Sequence, residues 1–310
     1  MLKLAALVGP TAVGKTEISI GLAQKLGGEI ISCDSMQVYK GMDIGTAKAS
    51  SADRNRVPHH IIDIVEPSLS FTVADYQKIA QREIQCITGR GKIPILVGGT
   101  GLYYQSVVDN FDFFPMESKE AVRRKWEEIY IEKGLGYIYE QVLKVDREYA
   151  LKIGSNDKKR MIRALEVYDL TGQPFSEFQN RNKNTYLLSA VGLYMDRVQL
   201  YSRIEERVDK MIEDGLVEEV ARLRENGCDL SFNSMQALGY KQIYCYLEGI
   251  LTWEETLKEI KKETRHFAKR QYTWFNKDKR IKWIYVDEYS RSSLLLEKIC
   301  ELMEGQLFGM

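Results

Sequence analysis

The chain has 310 residues, of which 44% are hydrophobic and 28% charged, and its 44 Lys and Arg residues balance 44 Asp and Glu residues. These values are typical of a globular protein with one large or two modest domains, and no apolar run reaches the roughly 18 residues that predict a membrane-spanning helix. Zero net charge argues only mildly against a nucleic-acid partner, because charges more than about 10 Å apart are largely screened and local patches matter more than the sum.

The first part of the chain alternates between short apolar runs and helical periodicity. Residues 2–8 form an apolar run that Gly9 closes. The run predicts a buried strand rather than a signal peptide, since it is short and lacks a small-residue cleavage site. Helices are predicted at residues 15–28 and 73–91, and further strands at 29–33 and 92–99. This alternation predicts an α/β fold with a parallel sheet and helices on both faces.

The pattern changes over residues 115–184, where we find helical periodicity and no convincing strand. The clearest helices span residues 118–134 and 156–172. Either Asn156 or Asp157 is a suitable cap for the second helix, and a glycine is placed to end it. The segment is therefore predicted to be a helical insertion.

Strand character returns at residues 185–195, and most of the remaining chain is helical. Helices are predicted at residues 199–215, 216–227, 235–249 and 253–275, followed by a strand at 280–287 and a terminal helix. We therefore predict two domains, a core formed by residues 1–114 and 185–310 and an insertion domain formed by residues 115–184.

The cysteines and histidines do not suggest a metal site. There are five cysteines, an odd number, and no pair has the spacing Cys-x-x-Cys. This usage favours reduced thiols in a cytoplasmic protein. Of the three histidines, His59 and His60 are adjacent and His266 is distant.

The most informative motif is the sequence Gly-x-x-x-x-Gly-Lys-Thr at residues 9–16, which follows a predicted strand and opens a predicted helix. Gly9 and Gly14 allow the backbone to turn its N–H groups toward an anion, Lys15 adds a compact positive charge, and the hydroxyl of Thr16 is suited to ligate Mg²⁺. The motif predicts a P-loop NTPase-like core that binds a chain of phosphates. It does not identify the group to which the phosphates are attached, and a nucleotide such as ATP also fits.

An acidic residue, Asp34, follows the second predicted strand, whereas Gly98, Gly99 and Thr100 follow the third. Asp34 therefore lies at the carboxyl edge of the sheet, where ligands bind in open α/β folds. Three roles are open to it from the sequence: ligation of water around Mg²⁺, acceptance of a proton from a nucleophile, or a purely structural place in a turn.

Several further segments carry a family resemblance. The segments "GPTAVGKTE", "ISCDSMQVYKGMDIGTAK", "PHHIIDI", "ILVGGTGLYY", "NDKKRMIRALEVY", "MQALGYKQ" and "AKRQYTWF" follow one another along nearly the whole chain. In this order they resemble the bacterial tRNA dimethylallyltransferases, whereas plain kinases share only the first of them.

The resemblance implies a reaction. The loop is expected to hold the diphosphate of dimethylallyl diphosphate, whose five-carbon group moves to the exocyclic N6 amine of an adenosine adjacent to the anticodon of tRNA. Diphosphate leaves, with Mg²⁺ and Lys15 neutralising its developing charge. Because the adenine amine is a poor nucleophile, a carboxylate that accepts its hydrogen bond helps the reaction, and Asp34 is the matched residue. The target base is expected to leave the anticodon stack to reach it.

The resemblance also implies binding residues. The catalytic set is Lys15, Asp34 and Thr100. The diphosphate set is Gly9, Pro10, Thr11, Ala12, Val13, Gly14, Lys15 and Thr16, with Arg203 or Arg207. The tRNA set is Asp34, Ser35, Met36, Gln37, Thr100, Arg123, Lys159, Arg160, Met161, Ile162 and Arg163. Val13 stands where a small Ser is frequent in the family, and we expect little effect because the backbone N–H still faces the ligand.

A basic segment at residues 258–282 contains ten Lys or Arg residues against three acidic ones. At helical spacing Lys262, Arg265 and Lys269 share one face, which favours contact with RNA phosphates. The alternative is a solvated face of no special function, and the aromatic residues among these charges favour core packing.

Two other functions are compatible with part of the sequence. A small-molecule kinase would use the phosphate loop and Asp34, and a non-enzymatic, nucleotide-gated RNA-binding module would need the basic segment but not Asp34. We favour prenyl transfer by a cytoplasmic, monomeric enzyme, with the insertion closing on the tRNA.

Overall fold

A computed structural model describes residues 1–113, 120–178, 181–182 and 184–309. Its centre is a six-stranded sheet in which every pair of neighbouring strands is parallel. The strands are β1 (Leu2–Val8), β2 (Gly28–Ser32), β3 (His59–His60), β4 (Ile93–Gly98), β5 (Tyr186–Tyr194) and β6 (Ile281–Tyr285), in the spatial order β3-β2-β4-β1-β5-β6. The predicted α/β class is confirmed.

Twelve helices are described. They are α1 (Lys15–Leu26), α2 (Ser51–Arg56), α3 (Val73–Gly89), α4 (Gly101–Val108), α5 (Glu120–Val145), α6 (Arg147–Ile153), α7 (Lys158–Thr171), α8 (Arg197–Glu213), α9 (Leu216–Glu225), α10 (Tyr240–Leu247), α11 (Trp253–Phe275) and α12 (Ser292–Phe308). None of the helices within the described ranges is long and apolar enough to cross a membrane.

Both faces of the sheet are covered, as alternation along β1 shows. Leu4, Ala6 and Val8 pack into one hydrophobic cluster, whereas Ala5 and Leu7 pack into another. Successive side chains of a strand point to opposite faces, so a strand that is apolar at every position must be buried on both sides. This explains why residues 4–8 are all apolar, while the charged Lys3 lies near the start of the strand.

The chain divides into two compact units, one formed by Met1–Val108 with Lys183–Met310 and the other by Asp109–Asn182. The second unit contains α5, α6 and α7 around its own hydrophobic cluster, and its described residues include no strand beyond an isolated bridge between Phe111 and Arg181. The boundary predicted between residues 114 and 115 lies outside the described residues, as do the first two residues of the helix predicted at 118–134.

Local signals placed most element ends correctly. Asp157, rather than Asn156, caps α7 by accepting the N–H of Arg160 at 3.1 Å, and Gly172 ends this helix at a φ of 70°. The helix predicted at 235–249 is shorter than expected, because α10 begins only after Gly239, whose φ of 89° is incompatible with a continuous helix. Gly134, with φ 76° and ψ 177°, ends a first helix as predicted, so α5 consists of two helices that meet at a kink at this residue.

Candidate active site

A cavity of about 830 Å³ opens at the carboxyl edge of the sheet in the first unit. The loop after β1, the segment after β2, the end of β4 and the helices α8 and α11 all contribute to its walls. Predicted site residues that line it are Thr11, Ala12, Gly14, Lys15, Thr16, Asp34, Ser35, Met36, Gln37, Arg203 and Arg207. The fold therefore brings together residues that are far apart in the sequence.

The phosphate loop, residues 9–16, has the backbone conformation that its glycines allow. Gly9 has a φ of 147° and Gly14 a φ of 98°, values that a side chain would disfavour. A Cβ atom at Gly9 would also lie only 2.9 Å from the carbonyl oxygen of Leu193 on β5. The loop is therefore packed closely against the neighbouring strand, and α1 begins within it, at Lys15.

The members of the loop differ in what they offer a ligand. The side chain of Val13, which stands where a Ser is frequent in the family, is buried and packs in the hydrophobic cluster around α1. The N–H of Thr11 already donates to Oε1 of Gln271 at 2.9 Å, and Pro10 has no N–H to donate. The N–H groups of residues 12–14 and the hydroxyl of Thr16 have no such partner within the described part of the chain, whereas the ammonium of Lys15 donates to carbonyl oxygens of its own loop.

Positive charge is concentrated beside the loop. Burial, together with the nearby guanidinium of Arg207, lowers the pKa of Lys15 to about 7, and the carboxylate of Asp34 partly opposes this shift. Burial likewise lowers the pKa of Arg207, again opposed by Asp34. Two cations held close together in a partly desolvated cavity form a strong site for an anion, since an anion relieves both burial and mutual repulsion.

The sequence did not decide between Arg203 and Arg207 as the arginine that reaches the diphosphate. Both line the cavity from α8. A guanidinium nitrogen of Arg203 lies 3.9 Å from the position that a Cβ atom at Gly14 would take, and Arg207 interacts electrostatically with Lys15 and Asp34. The structure thus places both arginines at the site rather than one of them.

The segment after β2 and the turn after β4 are joined next to the loop. One carboxylate oxygen of Asp34 accepts the N–H of Met36 at 2.9 Å, and its other oxygen makes no hydrogen bond with the described residues. The hydroxyl of Thr100 accepts the N–H of Ser35 at 3.0 Å, and the N–H of Thr100 donates to the carbonyl oxygen of Cys33 at 3.1 Å. Asp34 and Thr100 are therefore held together, with one carboxylate oxygen available.

Gln37 lines the cavity, but its amide group is engaged within the protein. Its Oε1 accepts the hydroxyl of Ser32 at 2.8 Å, and its Nε2 donates to the carbonyl oxygen of Thr46 at 3.1 Å. The resemblance implied contact with the target base or its neighbours. The structure shows that Gln37 also fixes the loop that follows it.

Two site-supporting residues were missed by the sequence analysis. Glu219, on α9, is buried and accepts the N–H groups of Asp43 and Ile44 at 2.9 and 3.0 Å. Lys48 is almost fully buried and donates to the carbonyl oxygen of Tyr39 at 2.6 Å. Both fix the loop that lines the cavity beside Gln37. The motif "GMDIGTAK" marked this loop, but nothing in the sequence indicated its distant partner Glu219.

The residues of the second unit that the resemblance assigned to tRNA have mixed exposure. Arg123 pairs with Glu127 at 3.2 Å, Arg160 pairs with Asp157 at 3.4 Å and Lys159 is exposed. Arg163 forms an ion pair with Glu166 at 3.0 Å.

Met161 and Ile162 need a correction, because their side chains are buried in the core of the second unit. They sit on the inward face of α7, where a tRNA contact through the side chain is not possible. The family match at these two positions therefore reflects packing that supports the neighbouring charged residues.

The basic segment is less free than its composition indicates. Arg265 pairs with Glu205 at 2.5 Å, and Lys262 lies 3.5 Å from Glu259. Among the described residues Lys269 has no acidic partner, and its side chain is exposed. The aromatic residues serve the interior in part, since Phe275 is buried and Phe267 lines the cavity.

The donor set of the site fits a divalent ion that is bound largely through a ligand. Within the described ranges no group of three or more His, Cys, Asp or Glu residues is arranged to hold a metal. The exposed hydroxyl of Thr16 stands at the start of α1 in the cavity wall. Mg²⁺ typically uses one or two protein oxygens together with substrate phosphates and water, so Thr16 and a bound phosphate chain suit it.

A parallel sheet with a phosphate loop after β1, and a cationic cavity that also contains a carboxylate, define a P-loop-type α/β protein. Comparison with known proteins narrows this class. The model of the IPP transferase family matches residues 37–278, and the chain belongs to this family.

Known relatives are similar to this chain over nearly its full length. The chain is 60% identical over 309 residues to a tRNA dimethylallyltransferase of Syntrophomonas wolfei, covering 100% of this chain and 99% of the relative. It is 53% identical over 302 residues to a tRNA dimethylallyltransferase of Carboxydothermus hydrogenoformans, covering 96% and 95%.

Two solved structures give the same result. The full-length tRNA isopentenylpyrophosphate transferase of Bacillus halodurans superposes with a TM-score of 0.73 at 41% identity, covering 99% of this chain and 98% of that one. A eukaryotic dimethylallyltransferase captured acting on tRNA superposes with a TM-score of 0.75 at 31% identity, covering 92% and 74%. The resemblance is therefore confirmed, and the kinase alternative is not favoured.

Proposed function

We propose that this chain transfers the dimethylallyl group of dimethylallyl diphosphate to the exocyclic N6 amine of an adenosine adjacent to the anticodon of tRNA. Dimethylallyl transfer to tRNA is the activity for which its full-length relatives are named. The observation that carries the proposal is one cavity that joins the phosphate loop, the two arginines of α8 and the carboxylate of Asp34.

The donor would bind by its diphosphate. Lys15, Arg203 and Arg207 supply positive charge, and the loop N–H groups at the start of α1 supply fixed donors. Charge on the diphosphate grows as its bond to the allylic carbon breaks, so preorganised cations there stabilise the transition state more than the ground state. Apolar cavity residues, including Met36, Val97 and Phe267, are suited to the hydrocarbon part.

The acceptor would approach Asp34. Its free carboxylate oxygen can accept a hydrogen bond from the adenine amine while Met36 holds the other oxygen. As the nitrogen–carbon bond forms and the carbon–oxygen bond of the donor breaks, one amine proton passes to Asp34 and diphosphate carries the electron pair away. The products are a secondary amine on the adenosine and free diphosphate.

Mg²⁺ would be held by Thr16 and the diphosphate oxygens, where it adds charge neutralisation to the leaving group. The chain's own residues would orient that group, since Arg207 interacts electrostatically with Lys15 and Arg203 lies beside Gly14 of the loop. The prediction of a cytoplasmic, monomeric enzyme is retained as part of the proposal.

The test is an assay with purified protein, Mg²⁺, dimethylallyl diphosphate and unmodified tRNA, in the absence of ATP. We expect tRNA heavier by one five-carbon unit and one diphosphate released per group transferred, with mass spectrometry of the digested RNA locating the group on an adenosine. ATP turnover with a small hydroxyl compound, without any prenylated adenosine, would instead support a kinase.

A further inference from the structure

Gln271, on α11, connects the two halves of the site. Its side chain is 5% exposed. Oε1 accepts the N–H of Thr11 at 2.9 Å, and Nε2 donates to the carbonyl oxygen of Gly99 at 3.0 Å. Thr11 belongs to the phosphate loop and Gly99 to the turn after β4, so one amide group bridges two loops that follow neighbouring strands of the sheet.

Each loop continues into a different part of the reaction centre. The loop that contains Thr11 leads within a few residues to Lys15 and Thr16, on the donor side. The turn that contains Gly99 leads directly to Thr100, whose hydroxyl accepts the N–H of Ser35 at 3.0 Å, next to Asp34 on the acceptor side. The distance between the bound prenyl donor and its acceptor therefore depends on the bridge formed by Gln271.

The contact requires close approach of side chain and backbone. A Cβ atom at Gly99 would overlap Nε2 of Gln271 and lie 3.2 Å from its Cδ. One turn further along α11, the Trp274 ring occupies the space that a Cβ atom at Gly101 would need. The glycines of the sequence "GGTG" therefore allow α11 to lie directly on the turn.

The chemistry of the bridge selects an amide. Thr11 presents a donor and Gly99 presents an acceptor, so the bridging side chain must accept at one atom and donate at the other. A carboxylate only accepts and an ammonium only donates. Of the two amide orientations, only the one with Oε1 toward Thr11 satisfies both partners.

We propose that Gln271 is a positioning residue that couples the diphosphate loop to the turn that carries Thr100, and thereby aligns the prenyl donor with its acceptor. The proposal rests on the transfer reaction proposed above. Without the bridge the two loops move independently, and misplacement of about 1 Å costs roughly 10²-fold in rate. Binding of either substrate depends much less on their mutual alignment.

Three variants test this assignment. Gln271→Met keeps the volume but removes both hydrogen bonds, Gln271→Glu keeps one partner only, and Thr273→Ala is a control on an exposed part of α11. We expect both Gln271 variants to lower kcat, normalised to the titrated concentration of active sites, by about 10- to 100-fold. The KM for each substrate should stay within about threefold of the wild-type value. Thr273→Ala is expected to resemble wild type.

The pH profile separates positioning from folding. A protonated carboxyl group has one donor and one acceptor and so replaces the amide, and burial beside a carbonyl oxygen favours the protonated form. The ratio of Gln271→Glu to wild-type kcat should therefore rise as the pH falls from about 8.5 to 6, whereas the Gln271→Met ratio stays constant. Equal, pH-independent ratios for the two variants would overturn the proposal, as would an unchanged kcat for Gln271→Met.

A second measurement does not depend on transfer activity. With Mg²⁺ and inorganic diphosphate as the probe, hydrogen exchange of residues 98–104 should slow in the wild-type protein and not in Gln271→Met. If the transfer assay fails but diphosphate still slows hydrogen exchange of residues 98–104 in the wild type only, the proposed function is rejected. The coupling of the two loops through Gln271 is then retained. Absence of the response in the wild type, or its persistence in Gln271→Met, would reject the coupling.

Discussion

The ammonium group of Lys15 donates a hydrogen bond of 2.6 Å to the carbonyl oxygen of Pro10 and a second one of 2.9 Å to that of Gly9. Lys15 thus reaches back across its own loop, and its ammonium group lies beside the backbone at the start of that loop. An anion bound in this loop contacts Lys15 and the first N–H groups of α1 at the same time. We therefore expect Lys15 and these N–H groups to contribute to the same binding event.

Loss of the charge or of the hydroxyl that follows it should disable transfer. Lys15→Ala and Thr16→Ala are each expected to lower the single-turnover rate at least about 10²-fold, a typical cost of removing one group that stabilises transition-state charge. The measurement is prenylated tRNA per unit time at saturating Mg²⁺. Gln24→Ala, exposed on α1 outside the cavity wall, is the control, and near-wild-type turnover in either loop variant would exclude the loop from the mechanism.

Donor binding should be linked to proton uptake by Lys15. Its pKa of about 7 leaves the side chain mostly neutral at pH 8, and a bound diphosphate favours the ammonium form. Because the charged form exists below the pKa, affinity should weaken as the pH rises above about 7, and binding at pH 8 should take up close to one proton.

Calorimetry in HEPES and Tris buffers measures this uptake from the difference in binding heat. The donor itself contributes little at pH 8, since the last phosphate pKa is near 6. Lys15→Arg is the control, because a guanidinium stays charged and should show no uptake at saturating ligand. The same uptake in that variant would assign the proton to another group.

Asp34 should matter for chemistry more than for tRNA affinity. Asp34→Asn retains an oxygen to accept the N–H of Met36 but cannot take a proton, so the rate should fall by about 10²- to 10⁴-fold. Affinity for tRNA should change little, since most of it comes from phosphate contacts. Filter binding beside single-turnover kinetics distinguishes the two, and affinity lost in step with rate would recast Asp34 as a recognition residue.

The predicted site residues that line the cavity are mostly those with a local sequence pattern. The loop at residues 9–16 and the position of Asp34 shortly after β2 are defined by residues close in sequence, and the strand–helix alternation places them on one edge of the sheet. Helix caps such as Asp157 are local for the same reason.

The parts that the sequence missed depend on distant contacts. Glu219 and Gln271 lie on ordinary helices, and their roles appear only when the fold brings them to Asp43 and to Thr11. The ion pair between Arg265 and Glu205 likewise could not be predicted from the charge of residues 258–282 alone. A count of charges gives the composition of a surface but not the partners that occupy it.

The basic face of α11 should contribute unequally to tRNA binding. Lys262 and Lys269 are exposed and seven residues apart, so they share a face, whereas Arg265 is held by Glu205. Replacing both lysines with Ala should weaken binding and flatten the slope of log affinity against log salt by somewhat under one unit for each lost phosphate contact. Arg265→Ala alone should change the slope much less, and a slope unchanged in the double variant would favour the solvated-face interpretation.

Glu219 should stabilise the loop beside the cavity through several hydrogen bonds. It accepts the N–H groups of Asp43, Ile44 and Gly45 and the hydroxyl of Tyr240. Glu219→Ala leaves these donors without a partner in a buried environment, which should cost about 3 kcal/mol of stability.

That loss corresponds to a fall in Tm of about 6–12 °C for a unit of this size, measured by thermal scanning at one scan rate. The change should be graded, because Tyr240→Phe removes one of the four hydrogen bonds and should cost only about 1 kcal/mol. Glu218→Ala changes an exposed neighbour on α9 and should stay within about 0.5 kcal/mol of wild type.

Transfer activity of Glu219→Ala should also fall at temperatures where the protein is still folded, since the loop it holds supplies the carbonyl oxygen of Thr46 to the amide of Gln37. Equal Tm values for Glu219→Ala and Glu218→Ala would show that the buried carboxylate does not hold the loop.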